Sequence, residues 1–147
     1  MAIIAKQRPG VYSDYQTSGI LYSKKSGKSI AIVAKSSAET NKIYTIQKLA
    51  DAQTIFGNDS IMYSLCKTIL ENGANNILAI SVGNSDENYT SAFKILEEMD
   101  GINIVICDST NVTIQQLLMQ SIVSASLNKK ERIGVIAAAE NQAELAD

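Results

Sequence analysis

The chain has 147 residues, 46% of them hydrophobic, and this length and composition predict one globular domain. Its 13 Lys and Arg residues stand against 15 Asp and Glu residues, giving a net charge of −2. Because no basic stripe accompanies that balance, nucleic acid is not expected as a partner. No apolar run approaches the roughly 20 residues that span a bilayer, so no membrane partner is expected either. The absence of histidine argues against a zinc site, and Cys66 and Cys107 are expected to be buried small hydrophobic residues rather than a disulfide.

The N-terminal stretch is apolar and bent. Residues 2–5 are Ala-Ile-Ile-Ala, and the run Arg8-Pro9-Gly10-Val11-Tyr12 follows them. Pro9 fixes its own φ and pushes the residue before it toward the extended region, while Gly10 lets the chain turn. The last two residues of the run favour a strand. An extended arm of this kind suits pairing with a sheet edge, including one on another molecule, and an ordinary first edge strand is the alternative.

The rest of the chain alternates apolar runs of strand length with helical periodicity. The predicted strands are Ser29–Ala34, Tyr44–Ile46, Ile77–Val82, Ile102–Cys107 and Ile133–Ala137. Helices are predicted from Gln47 to Phe56, from Asp59 or Ser60 to Gly73, from Ser85 or Asp86 to Gly101, and after Asn111 as N-cap. Continuous apolar strands are covered on both faces, and their alternation with helices predicts an α/β fold with a layered, mostly parallel sheet. We therefore divide the chain into an extended N-terminal arm, residues 1–22, and an α/β domain, residues 23–147.

Polar residues follow the predicted strands, where folds of this class place their ligands. They are Lys35-Ser36-Ser37, Gly83-Asn84-Ser85-Asp86, Asp108-Ser109-Thr110 and Glu140-Asn141. Asp108 stands where such a fold could hold a metal or a catalytic base. Capping of the following helices explains the same residues without a further assumption, and it is the favoured interpretation.

Cofactor motifs are incomplete in this sequence. Ser26-Gly27-Lys28-Ser29 has the end of a phosphate-binding loop, but the glycine required five positions before Gly27 is Tyr22, and a strand follows instead of a helix. A Gly-x-Gly-x-x-Gly run is missing, and Ser-His-Asp or Cys-His catalysis requires a histidine. A Ser-Lys pair remains open. We therefore expect no catalytic residue, no metal and no nucleotide or flavin cofactor.

Three segments together resemble a known family. The run Arg8–Tyr12 is similar to the N-terminal signature of the tail sheath protein of contractile bacteriophage tails and related particles. Tyr44–Ile46, leading into Ala50–Gly57, resembles the family's run of strand, short helix and Phe-Gly. Asn72–Ile77 is similar to its junction of Asn-Gly-Ala and a strand, and beyond Gly83 the likeness is a general α/β pattern.

The resemblance implies a structural, self-assembling subunit rather than an enzyme. It implies an N-terminal fragment of a contractile sheath subunit, with the family's C-terminal domain absent from this sequence. Its partners would be other sheath subunits and the tail tube protein, in a virion tail or phage-tail-like particle assembled in the bacterial cytoplasm. The arm would donate a strand to a neighbouring subunit. The expected subunit-interface residues are Ile3, Ile4, Arg8, Pro9, Gly10, Val11, Tyr12 and Tyr15.

A flavodoxin-like small-ligand-binding or enzymatic domain is the alternative. It would use the strand ends around Gly83–Asp86 and Asp108. The arm discriminates the two functions, because such an enzyme would begin with its first core strand. Deletion of residues 1–12 would then hardly change its assembly.

Overall fold

A computed structural model describes residues 29–138 of the chain. The arm, all the predicted interface residues, and the Glu140-Asn141 pair lie outside this range. The described part contains five strands and four helices. In chain order they are β1 Ser29–Ala34, β2 Ile43–Ile46, α1 Leu49–Phe56, α2 Ile61–Glu71, β3 Ile77–Ser81, α3 Asn88–Glu98, β4 Ile102–Cys107, α4 Val112–Leu127 and β5 Ile133–Val135.

The five strands form one sheet in the order β2-β3-β1-β4-β5. β3, β1, β4 and β5 run parallel to one another, and β2 runs antiparallel to its neighbour β3. The predicted α/β class with a mostly parallel sheet is therefore confirmed. β1 lies at the centre, where Ala31 pairs with Leu78 on one side and with Val105 on the other.

Helices cover both faces of the sheet. Ile32 points to the face of α1 and α2, and Val33 points to the face of α3 and α4, because successive side chains of a strand alternate. Met62, Cys66 and Phe56 fill the first layer. The second layer is built around the core residues Tyr89, Phe93, Leu96, Cys107, Ile114 and Leu118. Both cysteines are buried and free, as the sequence predicted.

Two details near β2 and α2 were not specified by the sequence pattern. β2 is the antiparallel member of the mostly parallel sheet and lies at its edge, and the β1–β2 loop bridges Thr40 to Ser81. In α2, Ile61 is 53% exposed, whereas the neighbouring Met62 is fully buried. Apolar residues occupy both neighbouring stripes of this helix, so periodicity alone did not separate its inner face from its outer one.

The β4–β5 end of the sheet departs most from expectation. We predicted strands covered on both faces, but all three residues of β5 are exposed, and the strand stops at Val135 rather than at Ala137. Gly134 lies against α4, where an added Cβ would collide with the Ile122 side chain. The other face of β5 carries Ile133, which is 67% exposed. α1 and α2 pack over β1–β3 and leave this face of β5 open.

Candidate functional site

The carboxyl ends of β1 and β4 meet at the point where the chain reverses its direction along the sheet. β1 lies between β3 and β4. The connection that leaves β1 leads toward β2 and β3, whereas the connection that leaves β4 leads to β5 in the opposite direction along the sheet. Open α/β sheets bind ligands in the crevice that forms at such a point. In this chain Lys35 follows β1 and Asp108 follows β4. The polar segments that follow β1 and β4 in the sequence therefore lie together at this edge of the sheet.

Asp108 occupies this crevice and joins three elements. Its Oδ2 accepts the backbone N–H of Lys35 at 3.0 Å, and its Oδ1 accepts the hydroxyl of Tyr89 from α3. The predicted capping role of Asp108 is wrong, since Asn111 caps α4 by accepting the Thr113 N–H at 2.9 Å. A carboxylate with both oxygens engaged acts here as a structural tie between β1, β4 and α3.

The electrostatics of the crevice favour this structural role. Burial, reinforced by the hydrogen bond to Asp108, raises the pKa of Tyr89 well above its ordinary value of 10.0, so the phenol remains a donor at neutral pH. Lys35 Nζ lies 2.8 Å from Asp86 Oδ1, and this contact raises the pKa of the lysine. Because both side chains are well exposed, the ion pair contributes at most about 1 kcal/mol.

A serine pair closes the end of β3. Ser81 is fully buried, and its hydroxyl accepts the Ser36 hydroxyl at 2.7 Å and the Gly83 N–H at 3.2 Å. Its own proton points toward the carbonyls of Ser36 and Ala38, at 3.2 and 3.3 Å. Sequence reasoning treated Ser81 as one more strand residue. A lone hydroxyl inside an apolar strand was the available signal, because a buried hydroxyl requires partners.

A shallow depression lies beside these hydrogen bonds. Its volume is about 550 Å³, and it is lined by Lys35, Ser36, Ser37, Asn84 and residues 56–61. Across residues 29–138, no three Cys, His, Asp or Glu side chains gather as metal ligands would. The helices of the same range are too short or too polar to cross a membrane.

In contrast to the polar crevice at the carboxyl ends of the strands, the surface where α4 packs beside β5 is apolar. The 16 residues of α4 include no charged side chain. A groove of about 350 Å³ runs between the two elements and is lined by Val112, Met119, Ile122, Val123, Gly134 and Ile136, together with Gln115, Gln116 and Leu118. Met119 is 59% exposed and Leu127 is 82% exposed. The sequence signal for this surface, the absence of charge from Val112 to Leu127, was overlooked.

The sequence matches no known family model, and it matches no curated protein. Function is therefore inferred from the residues and their geometry. Three predicted polar segments do come together at the carboxyl edge: Lys35–Ser37, Gly83–Asp86 and Asp108–Thr110. The predicted subunit-interface residues lie outside the described range.

Arg132 fixes the start of β5. Its guanidinium is buried and donates to the carbonyl oxygens of Leu96 at 2.7 Å and Met99 at 3.1 Å, at the end of α3. Burial lowers the pKa of Arg132, yet an arginine remains charged in a protein. Favourable alignment with the carbonyl end of a helix offsets part of its desolvation. The position of the open strand is thus set by α3.

Proposed function

We propose that this chain is a structural, self-assembling subunit, the N-terminal part of a contractile phage-type tail sheath, and not an enzyme. Its arm donates a strand to a neighbouring subunit. The observation that carries the proposal is β5, Ile133–Val135, which lies at the edge of the sheet with no further strand paired to it among residues 29–138, and whose three residues are all exposed. An exposed, uncharged edge strand is a template for pairing with another chain.

The two sheet edges support this interpretation by their difference. Neither β2 nor β5 contains a charged residue. The residue directly before β2, Lys42, is exposed and forms an ion pair with Glu39 at 3.1 Å, and charge of this kind discourages edge pairing. The residue directly before β5, Arg132, is buried against α3. Strand addition at such an edge supplies directional main-chain hydrogen bonds, each contributing about 0.5–1.5 kcal/mol net.

The described parts of the sequence resemblance also support the proposal. Tyr44–Ile46 lies in β2, and the following run forms α1, with Phe56 buried and Gly57 ending the helix at φ +74°. The run from Asn72 to Ile77 forms the junction between α2 and β3, with Gly73 at φ +96°. The proposal expects a strand, a short helix and a turn at these positions.

In the proposed sheath, strand donation from one subunit to the next would be a heterologous contact. Heterologous contacts that do not close generate helices of subunits, which would stack in rings around the tail tube protein. Strand donation can persist while globular parts rotate as rigid bodies. Contraction would need no nucleotide if the extended lattice is a kinetically trapped packing. The particle would be a virion tail or phage-tail-like particle assembled in the bacterial cytoplasm.

Electron microscopy of the protein produced from its complete gene tests the proposal. We expect tubes or stacked rings with a helical lattice, and we expect deletion of residues 1–12 to abolish them while circular dichroism shows a folded body. Ile133→Lys on β5 should impair assembly, and Ile43→Lys on β2 is the matched control at the other edge. Normal tubes from the deletion variant would reduce the arm to an ordinary edge strand.

One observation favours the alternative, a flavodoxin-like ligand-binding or enzymatic domain. The depression of about 550 Å³ lies at the carboxyl edge of the sheet, where such domains bind ligands. Calorimetry against nucleotides, flavins and divalent metals would decide between the two functions. Micromolar affinity that Asp108→Ala abolishes would favour the alternative, and the sheath proposal predicts no specific binding.

A further inference from the structure

The groove between α4 and β5 has the composition of a packing surface. A surface helix normally carries charged or polar residues on its solvent side. On α4 the groove is instead lined by Val112, Met119 and Val123, which are about half exposed, and the whole helix is uncharged. Apolar residues gathered in one groove indicate that another segment packs over them.

The described part of the chain ends beside this groove. Ile136 lines the groove, and the side-chain amide of Gln115 donates to the carbonyl oxygen of Ala137 at 2.7 Å. This hydrogen bond holds the end of the described chain against the first turns of α4. Residues 139–147 therefore leave the fold at one end of the groove, on the side of the sheet that α4 covers.

Length and point of entry favour this segment as the occupant. The groove residues of α4 extend over about 16 Å, from Val112 to Val123. Residues 139–147 reach about 30 Å when extended and about 13 Å as a helix, so either form covers most of the groove. Residues 1–28 join the described part at Ser29 in β1, and β4 lies between β1 and β5. That segment has to cross β4 first, whereas residues 139–147 begin at the groove.

The sequence of residues 139–147 also suits the groove. Asn141, with Glu144 three residues later, is the N-terminal signature of a helix. Leu145 is the one large apolar residue of the segment. Successive residues of a helix are about 100° apart, so Asp147 points away from the side that carries Leu145. A helix with Leu145 toward the groove therefore keeps this carboxylate in water.

We propose that residues 139–147 fold back over the groove of their own chain, with Leu145 inserted between α4 and β5. An isolated helix of this length is marginal, so packing against the groove holds the segment. Ordering nine residues costs conformational entropy that offsets most of the gain from packing. The docked segment therefore exchanges with an open form and adds little to the free energy of unfolding.

This docking goes beyond the proposed sheath function and does not depend on it. Gly134 and Ile136 line the groove, whereas Ile133 and Val135 point to the other face of β5, because side chains of a strand alternate. The segment covers one face of β5 and leaves its main-chain edge accessible. Failure of tube assembly would leave the docking intact, and an open groove would leave the sheath proposal intact.

Thiol labelling of the intact chain is the first test. Met119→Cys lies in the groove, and Gln120→Cys, the adjacent exposed position on the side of α3, is the matched control. Met119→Cys should react with an aromatic disulfide reagent about fivefold more slowly than Gln120→Cys, after each rate is normalised to that of the chain in urea. The chain without these substitutions gives the background from the buried Cys66 and Cys107. Equal rates would show an open groove and overturn the docking.

Substitutions in the segment identify the occupant. Leu145→Gln keeps the charge and the helix propensity while it removes the apolar side chain, and it should abolish the protection of Met119→Cys. Ala143→Gln, on the opposite side of the same helical turn, is the matched control and should leave the protection unchanged. Circular dichroism checks that each variant is folded. Protection that survives Leu145→Gln would assign the groove to another segment, and protection lost on dilution from about 200 to 1 µM would assign it to a second copy. Either result would overturn the proposal.

Cysteine cross-linking tests the position of the segment. Leu145→Cys combined with Met119→Cys should form a disulfide within one chain when oxidised glutathione is added, at a rate that does not depend on protein concentration. Leu145→Cys combined with Gln120→Cys is the control and should not form one. Equal cross-linking of the two pairs would mean that the segment has no fixed place on α4 and would overturn the proposal.

Discussion

The two ends of the sheet differ in how far helices cover their apolar side chains. At the β2–β3 end, α1 and α2 cover the sheet, the Tyr44 ring meets Phe56 edge to face at 5.5 Å, and Lys42 lies 5.4 Å from the centre of the Tyr44 ring. At the β4–β5 end, the three residues of β5 remain exposed beside an uncharged helix. The first end has its apolar groups packed within the chain, and the second leaves apolar groups at the surface.

This difference assigns the two ends of the sheet different roles: apolar groups at the β2–β3 end stabilise the monomer, and apolar groups at the β4–β5 end are available for association. Apolar side chains that contact each other inside the chain contribute to the free energy of unfolding of the monomer. Apolar side chains left at the surface contribute only when another chain or segment covers them. Substitutions at the closed end should therefore change stability, and substitutions at the open end should change association.

A matched pair of methionines gives the largest expected contrast. Met62 is fully buried on the inner side of α2, and Met62→Ala should lower the free energy of unfolding by about 2–5 kcal/mol because it leaves a cavity. Met119→Ala, on the exposed side of α4, should change it by less than about 0.5 kcal/mol. Urea denaturation at low protein concentration measures both. Equal losses would mean that α4 is as enclosed as α2.

The pH dependence of stability tests whether both layers of the core exclude water. Burial raises the pKa of the Cys66 and Cys107 thiols from 9.0 to about 11, one in each layer. Below pH 9 each thiol is protonated in both states, and above it unfolding releases a proton. The free energy of unfolding should therefore fall as pH rises from 9 to 10, with a limiting slope of about 1.4 kcal/mol per pH unit for each thiol.

Urea denaturation at several pH values gives that slope. Cys66→Ala and Cys107→Ala should each reduce it by a similar amount, whatever either variant does to stability at neutral pH. A slope that only Cys66→Ala reduces would show that water reaches Cys107, and that the layer under α3 and α4 is less complete.

A double-mutant cycle measures the coupling between Asp108 and Tyr89. Asp108→Ala leaves the buried Tyr89 hydroxyl and the Lys35 N–H without their acceptor, and it should lower the free energy of unfolding by about 1–3 kcal/mol. In the Tyr89→Phe background the same substitution should have a smaller effect, because one of the orphaned donors is absent. Strictly additive losses would contradict the tie between β4 and α3.

The smallest expected effect on stability comes from the edges. Ile133→Lys and Ile43→Lys should each change the free energy of unfolding by less than about 0.5 kcal/mol. Only Ile133→Lys should reduce the binding of an apolar dye such as 1-anilinonaphthalene-8-sulfonate, because only β5 lies on an open apolar surface. An equal reduction by both variants would remove the distinction between the two edges.

Local sequence signals predicted most of the secondary structure. The bounds of β1 agree with the apolar run, and Ser60 and Asn111 cap α2 and α4 through side-chain hydrogen bonds, as their residue types predict. Gly57 ends α1 in a conformation that favours glycine. These features depend on a few neighbouring residues, which is why the sequence alone was sufficient.

Features that depend on distant residues were not predictable in the same way. The direction of β2 is decided by its pairing with β3, and the Asp108 contacts join residues 19 and 73 positions away. In α4 the apolar pattern marks two opposite sides, so periodicity does not show which one the domain buries. The open end therefore became visible only once the packing of the helices was known.

The anchor at Arg132 has a mechanical consequence. Its guanidinium holds the residue just before β5 to the carbonyl oxygens of Leu96 and Met99. A strand added to β5 and pulled by a neighbouring molecule would therefore load the end of α3 directly. From there the force would pass into the buried side chains of α3, where Tyr89 is joined to Asp108 at the end of β4. β5 thus combines exposed side chains with an attachment to α3 through the hydrogen bonds of Arg132, and this combination allows it to transmit force from a bound strand into the domain.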